Sequence, residues 1–148
     1  MKNNRAVMRL WLVLVVSILM ATVNACSSLI ATYSQAAYKQ ATSIKAESLV
    51  LMSKGTEPYN QHAQAVAALM LDVDKAYEYA KGRPKNEISA GQWAKIKNPD
   101  KKLLGGFLKR WEEQGQLSSA FVEEAKRQVA KAFNQIIELE SGKNKERK

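Results

Sequence analysis

The sequence predicts an all-α protein, a compact bundle of three long helices plus one short helix, after a cleaved signal peptide. Apolar residues recur at spacings of three, four and seven along most of the chain, and no stretch alternates apolar and polar residues as a strand does. Glycine and proline separate the periodic stretches. We therefore divide the chain into a signal peptide (1–25), a short N-terminal segment (26–28), a helical domain (29–141) and a basic, disordered tail (142–148).

The first element, residues 1–25, has the composition of a secretory signal peptide. Three basic residues and no acid stand before the fourteen-residue stretch LWLVLVVSILMATV, which is apolar except for Ser17 and Thr22. A basic start, an apolar stretch and small residues before a cleavage point form the usual order in signal peptides. The apolar stretch is shorter than the roughly 20 residues of a membrane-spanning helix. We therefore expect cleavage, with an uncleaved anchor helix as the alternative.

The expected cleavage point carries the only cysteine of the chain, Cys26. Val23, Asn24, Ala25 and Cys26 resemble the lipobox of bacterial lipoproteins, in which an aliphatic residue, a small residue and Ala or Gly precede an invariant cysteine. Asn24 is larger than the usual residue at its place. The resemblance covers the first 27 residues and implies that Cys26 becomes the N-terminus and receives a diacylglyceryl group and a third acyl chain.

Such a modification is an anchor in itself, because two or more acyl chains hold a protein durably on a membrane. In lipoproteins of the enterobacterial kind, an aspartate after the cysteine favours retention in the inner membrane, and here that residue is Ser27. The resemblance therefore implies a lipid-anchored protein of the outer membrane that faces the periplasm. A plain secreted protein with a leftover thiol at Cys26 is the alternative.

The first helix is predicted from Leu29 to Lys54. Apolar residues recur every seven positions, and small residues follow four places after the first three of them, so a neighbouring helix can approach closely along this seam. The two sets are Ile30, Ala37, Ile44 and Leu51, and Ser34, Ala41 and Ser48. Gly55 suits the C-terminal cap of this helix.

The second helix is predicted from Pro58 to Lys81, because proline suits the first turn of a helix. Its apolar face follows alternating steps of four and three and comprises Tyr59, Ala63, Val66, Met70, Val73, Tyr77 and Ala80. Gly82 and Pro84 end the helix.

The short helix is predicted from Ala90 to Lys97, since Ser89 and Gln92 have the spacing of a capping box. Asn98 and Pro99 then break it and begin a further helical segment. The apolar residues of that segment are Leu104, Phe107, Leu108 and Trp111.

Two adjacent glycines, Gly105 and Gly106, interrupt that segment, where each costs about 1 kcal/mol relative to alanine. The favoured explanation is close packing against the first helix. A kink that lets the segment adapt to a ligand is the alternative.

The last helix is predicted from Ser118 to Glu140, with a serine cap at its start. Its apolar stripe comprises Val122, Ala125, Val129, Ala132, Ile136 and Leu139, widened by Phe121, Phe133 and Ile137. The tail that follows contains no apolar residue, so we expect it to be disordered.

Catalytic and metal-binding patterns are missing from the sequence. His62 is the only histidine, so with Cys26 acylated no Cys/His nucleophile pair and no zinc ligand set can form. We expect His62 to be a solvated or interface histidine. No cofactor motif is present, and the adjacent or nearly adjacent carboxylates lack the apolar surroundings that raise a pKa. The sequence thus predicts a non-catalytic protein, with a small peptidoglycan-acting enzyme that uses paired carboxylates as the alternative.

The most distinctive surface feature is a basic segment between Lys81 and Arg110. Removing 25 of the 148 residues leaves 123 that carry a net charge of +6, because 20 basic residues remain against 14 acidic ones. The basic segment alone holds nine basic residues against Glu87 and Asp100. We propose that its surface binds an anionic partner, with the candidate contacts Lys95, Lys97, Lys101, Lys102, Lys109, Arg110, Trp93 and Trp111.

The compartment narrows the class of partner. An exported, lipid-anchored protein does not meet nucleic acid, whereas anionic lipid head groups and other envelope proteins are close to it. We therefore expect a non-catalytic binding or accessory module of the cell envelope, held at the membrane through Cys26. The sequence leaves the choice between a protein and an anionic lipid partner open, as it does the oligomeric state.

Overall fold

The structure is a computed structural model that describes residues 30–143. The expected signal peptide, Cys26 and residues 144–148 lie outside this range. The described residues form five α-helices and one 3-10 helix and no strand, which confirms the all-α prediction. The helices are α1 (Gln35–Met52), α2 (Ala63–Gly82), α3 (Glu87–Lys97), α4 (Leu104–Gln114) and α5 (Ser119–Gly142), and the 3-10 helix is Tyr59–Gln61.

One core joins all five helices. α1 packs against α2 and α5, and α3 packs against α2, α4 and α5. The largest fully buried side chains are Trp111, Phe133, Met52, Ile96, Leu104 and Ile136. Burying a side chain of this kind contributes about 1.5–3 kcal/mol, so the periodic stripes of the sequence supply the main driving force for folding.

The first helix begins later than predicted. Residues 30–34 are not helical, and Ser34 caps α1 by accepting a hydrogen bond at 3.2 Å from the backbone N–H of Ala37. Serine favours such a cap because its hydroxyl satisfies a free N–H of the first turn. Of the predicted seam, Ala41, Ile44 and Ser48 are buried.

The second helix also begins later than predicted, at Ala63 rather than Pro58. Pro58 instead precedes the 3-10 turn, and His62 connects that turn to α2. His62 is half-buried, its Nε2 lies 2.7 Å from Glu57 Oε2, and its ring lies 5.4 Å from that of Trp111. His62 is therefore a structural side chain of the turn and not a solvated one.

The capping box predicted for the short helix is wrong. α3 begins at Glu87, three residues before the predicted start, so Ser89 lies inside its first turn and is 2% exposed. The Ser89 hydroxyl donates to Glu140 Oε1 at 2.8 Å instead of capping its own helix. The hydrogen bond to Glu140, 51 residues away in the sequence, thus takes the place of the predicted cap.

The bundle contains a second short helix, α4, where the prediction counted one. Asn98 does not cap α4 directly: its side chain accepts from the backbone N–H of Asp100 and forms a turn, and the helix begins at Leu104. Gly105 and Gly106 do serve a close approach, but not to the first helix. A Cβ at Gly105 would lie 2.3 Å from the carbonyl oxygen of Lys97, and one at Gly106 would lie 1.9 Å from that of Lys101.

A buried polar cluster fixes one end of the bundle. It consists of the side chains of Arg83, Asn86, Ser89, Glu140 and Lys143. The last helix extends to Gly142, and Lys143 is buried, so the ordered domain passes the boundary predicted at residue 141. Since the members come from α5, α3 and the residues between α2 and α3, the cluster ties these parts together.

The first described residues join the same end. The backbone N–H of Ala31 donates to the carbonyl of Lys85 at 2.8 Å, and the Arg83 guanidinium donates to the carbonyl of Thr32. Residues 31, 32 and 143 therefore meet beside the turn between α2 and α3. We call this region the terminal end of the bundle.

Candidate functional site: a cationic pocket at the start of α4

The two tryptophans predicted as partner contacts are core residues. Trp93 is 3% exposed and packs edge-on against Phe133 with ring centroids 5.8 Å apart. Trp111 is fully buried, and its Nε1 donates to the carbonyl of Glu57 at 2.9 Å. Both were expected at the surface because they are interleaved with lysines, yet helical spacing turns them inward. The prediction that Trp93 and Trp111 contact a partner is wrong.

Three of the predicted cations do not join a common site. Lys97 forms an ion pair with Asp74 at 2.6 Å and lies over the ring of Tyr77. Lys109 pairs with Asp100 at 3.3 Å, and Lys95 is exposed on α3. The first two cations are engaged within the fold, so they are poorer candidates for an external anion.

Lys101, Lys102 and Arg110, in contrast, line one pocket of about 350 Å³. This cationic pocket lies between the turn of residues 99–103, the start of α4 and the first half of α5. Its other lining side chains include Leu103, Phe107, Phe121, Glu124, Ala125 and Gln128. The volume is at the small end of the range of about 300–1,000 Å³ that ligand pockets occupy.

The paired glycines place the two lysines at this pocket. Because Gly105 and Gly106 lack side chains, the turn that carries Lys101 and Lys102 can fold back onto the first turn of α4. Any side chain at position 106 would collide with the Lys101 carbonyl. The two adjacent glycines inside the helix thus have a local structural role, because they allow the turn to reach the pocket.

The floor of the pocket is aromatic. The rings of Phe107 and Phe121 are parallel, with centroids 6.1 Å apart and an interplanar angle of 1°. The guanidinium carbon of Arg110 lies 4.4 Å from the centroid of the Phe121 ring, a cation–π arrangement. The pocket therefore offers apolar surface directly beside positive charge.

The electrostatics of the rim favour an anion. Within residues 30–143, no carboxylate lies within 4.0 Å of the charged nitrogens of Lys101, Lys102 or Arg110. The two acids that line the pocket, Asp100 and Glu124, each form an ion pair with another residue of the chain. Asp100 pairs with Lys109, and hydrogen bonds from Gln128 and Arg127 lower the pKa of Glu124. The rim thus presents three available cations.

Sequence reasoning missed the contribution of α5 to this site. Phe121, Glu124 and Gln128 lie at spacings of three and four along α5, so they share one side of the helix. Phe121 was assigned to a widened core stripe, which describes only part of its role. No local signal in the sequence shows that this side of α5 faces the turn of residues 99–103.

Other classes of site find no support among residues 30–143. No group of three His, Cys, Asp or Glu side chains there is arranged to hold a metal ion. No helix of the described region combines the length and apolar character needed to cross a bilayer. Comparison of the chain with protein-family models, curated proteins and solved structures gives no match.

Proposed function

We propose that this chain is a lipid-anchored protein of the bacterial envelope whose helical domain is a non-catalytic binding module. In this proposal the signal peptide is removed, acyl chains on Cys26 hold the protein at the periplasmic face of the outer membrane, and the cationic pocket binds a partner. The residue pattern before Cys26 supports the anchor. The observation that carries the binding role is the set of three available cations around an aromatic floor.

The structure refines which cations we assign to binding. Lys101, Lys102 and Arg110 form the proposed contact surface, while Lys97 and Lys109 are paired with carboxylates of the same chain at the surface. An exposed ion pair contributes about 0.2–1 kcal/mol, so binding energy has to come from several such contacts together with the apolar floor. A pocket that combines both fits a partner with an anionic and an apolar part.

One structural observation bears on the alternative that the protein is an enzyme. Asp100 and Glu124 both line the pocket, as a pair of catalytic carboxylates would. A carboxylic acid that protonates a leaving group needs a raised pKa, whereas the Gln128 and Arg127 hydrogen bonds lower the pKa of Glu124. The pocket therefore supports binding better than glycoside cleavage. Loss of a peptidoglycan-cleaving activity in Asp100→Asn or Glu124→Gln would favour the enzyme.

Photo-crosslinking in living cells tests the binding role. A photoreactive amino acid is placed at Gln128, on the pocket, or at Gln135, which is exposed on α5 two turns further along. We expect a discrete adduct from position 128 that disappears in the K101Q/K102Q/R110Q variant. An equal adduct from position 135, or one that survives the triple substitution, would contradict binding at the pocket.

A further inference from the structure

The cationic pocket can hold a ligand that has an apolar part. The volume of the pocket is about 350 Å³. Phe107 is 2% exposed and lies against Phe121, so the apolar surface that the floor offers comes from the half-buried side chains of Phe121 and Leu103. A phosphate or sulfate alone would leave this apolar floor uncovered. An aromatic or branched aliphatic side chain would cover it and remove apolar surface from water.

The rim of the pocket favours a ligand with more than one negative charge. Lys101, Lys102 and Arg110 stand around the floor, and the nearby acids Asp100 and Glu124 are held by Lys109 and Arg127. More than one anionic group is needed to meet three cations at different places on a rim. A ligand with carboxylates on either side of an apolar group has this arrangement.

The pocket and the expected anchor lie far apart on the bundle. Ala31 is hydrogen-bonded at the terminal end, and Cys26 is five residues before it, a span of at most about 18 Å. Glu124 on the pocket and Glu140 in the buried cluster are 16 residues apart on α5, which is about 24 Å along the helix. The pocket is thus at the other end of the bundle from the attachment point.

The course of α1 also places the pocket at the end of the bundle away from the anchor. α1 begins beside the terminal end, where the Ser34 hydroxyl lies 2.9 Å from that of Tyr79, close to Arg83. After 18 helical residues the chain reaches Gly55, whose Cβ position would be 2.8 Å from Phe107 of the pocket floor. Head groups of the anchoring membrane are therefore nearer to Lys81 and Lys85 than to the pocket.

From the apolar floor, the three cations and the distance from the anchor, we infer that the cationic pocket receives a segment of another protein in which acidic residues flank an apolar side chain. The apolar side chain covers the exposed parts of Phe121 and Leu103, and the carboxylates meet Lys101, Lys102 and Arg110. The inference rests on the proposed function in that it names the partner of the same pocket. It assigns this role to an acidic protein segment and not to the lipid head groups around the anchor.

The test uses the full-length protein, made with its own N-terminus and held in phosphatidylcholine nanodiscs. The probe is a short fluorescent peptide in which glutamates flank a Leu-Phe pair, and its binding is followed by fluorescence anisotropy. Two matched peptides carry glutamine for every glutamate or a Ser-Ser pair for Leu-Phe. Two protein variants are compared, K101Q/K102Q/R110Q and the control K39Q/K75Q/K81Q, which removes the same charge elsewhere on the exposed surface.

We expect the acidic peptide to bind the wild-type protein and the control variant with affinities within about twofold of each other. We expect the pocket variant to bind about tenfold more weakly, since each exposed cation contributes a factor of about two to three. Both matched peptides should also bind more weakly. Equal binding by the pocket and control variants, or no binding of the acidic peptide, would overturn the inference.

A second arm separates lipid from protein. A form of the protein that begins at residue 27, and so lacks both the apolar stretch and the acylated cysteine, is mixed with phosphatidylglycerol vesicles and with the same peptide. Vesicle binding that needs Lys101, Lys102 and Arg110, without peptide binding, would reassign the pocket to head groups. A failure of the anchor is distinguishable, because the peptide assay can be run in buffer on a protein that carries no acyl chain.

Discussion

Lys143 is a charged side chain that is buried at the end of the last helix. Its ammonium group donates to Asn86 Oδ1 at 2.5 Å, Ser89 Oγ at 3.1 Å and Glu140 Oε1 at 2.5 Å. These three acceptors match the three N–H bonds of a lysine ammonium. The second oxygen of Glu140 accepts from Arg83 at 3.2 Å, so both charges of the pair are compensated. Burial without such compensation would be costly.

The Lys143→Met variant should therefore lose about 1–3 kcal/mol of unfolding free energy, because Asn86 Oδ1 loses its donor and Glu140 keeps only the Arg83 cation. Urea unfolding followed by circular dichroism measures this loss. The control is Lys75→Met, which breaks a pair of the same i,i+3 spacing with Asp72 on the surface. That change should cost less than about 1 kcal/mol. Similar losses in both variants would contradict the structural role of Lys143.

The sequence alone does not predict this cluster. Lys143 stands at the start of a basic, polar stretch, which is typical of a disordered tail. Its partners Asn86 and Ser89 are 57 and 54 residues away in the chain. Pairing across that separation depends on how α3 and α5 pack, and no local pattern encodes it. For Trp93 and Trp111 a local pattern was available but was not followed. Both were assigned to the basic surface because lysines neighbour them in the sequence, although Trp111 also belongs to the apolar set of its helix.

At the scale of elements, the connection between α3 and α4 controls the geometry of the pocket. The turn of residues 98–103 folds back so closely that the carbonyl oxygen of Lys101 occupies the space where a Cβ of residue 106 would stand. A glycine in the first turn of α4 is thus required by contact and not by backbone angle. The same contact fixes where Lys101 and Lys102 leave the turn.

Gly106→Ala should destabilise the protein and weaken binding at the cationic pocket. An alanine in a helix normally stabilises it by about 1 kcal/mol relative to glycine, and here the clash with the Lys101 carbonyl outweighs that gain. Gly91→Ala is the matched control, since nothing lies within 4 Å of its Cβ position in α3. That variant should be more stable than the wild type. Thermal unfolding of both variants checks the opposite signs.

Elements whose apolar residues recur regularly were the ones that the sequence predicted well. In α5, Val129 and Ile136 of the predicted stripe are buried, and in α2 so are Val66 and Val73. The stripe of α2 missed Leu69 and Ala76, which are buried, whereas its members Met70 and Tyr77 are only partly buried. The boundaries were less accurate, because α1 and α3 begin at Gln35 and Glu87, where the pattern placed Leu29 and Ala90. Capping depends on which side chains tertiary packing leaves available, and Ser89 was not available. The pocket combines a turn with two helices, so only its three cations were predictable.

At the scale of the whole molecule, the basic segment is divided between two ends. Lys81, Arg83 and Lys85 lie at the terminal end beside Ala31, whereas Lys101, Lys102 and Arg110 line the cationic pocket. α3 runs between the two groups and is 11 residues long. A lipid anchor on Cys26 would place the first group toward the membrane and the second toward the periplasm. One group of cations in the basic segment would then face the membrane and the other group the periplasm.

Membrane-depth measurements can check this orientation. Cys26 is the only cysteine, so once it is acylated an added cysteine becomes the single site for a spin label. Ser141→Cys and Gln128→Cys are exposed positions on α5, 13 residues or about 20 Å apart. In nanodiscs that carry a nickel chelate lipid, we expect stronger relaxation of the label at 141. Equal or stronger relaxation at 128 would show a different orientation.

The central claim, a binding module tethered through Cys26, is tested most directly by the intact mass of the protein purified from cell envelopes. We predict a chain that begins at Cys26 and carries a diacylglyceryl group and an amide-linked acyl chain, and an unprocessed chain in the Cys26→Ser variant. A wild-type chain that begins at Met1, or one cleaved without acyl chains, would contradict the account.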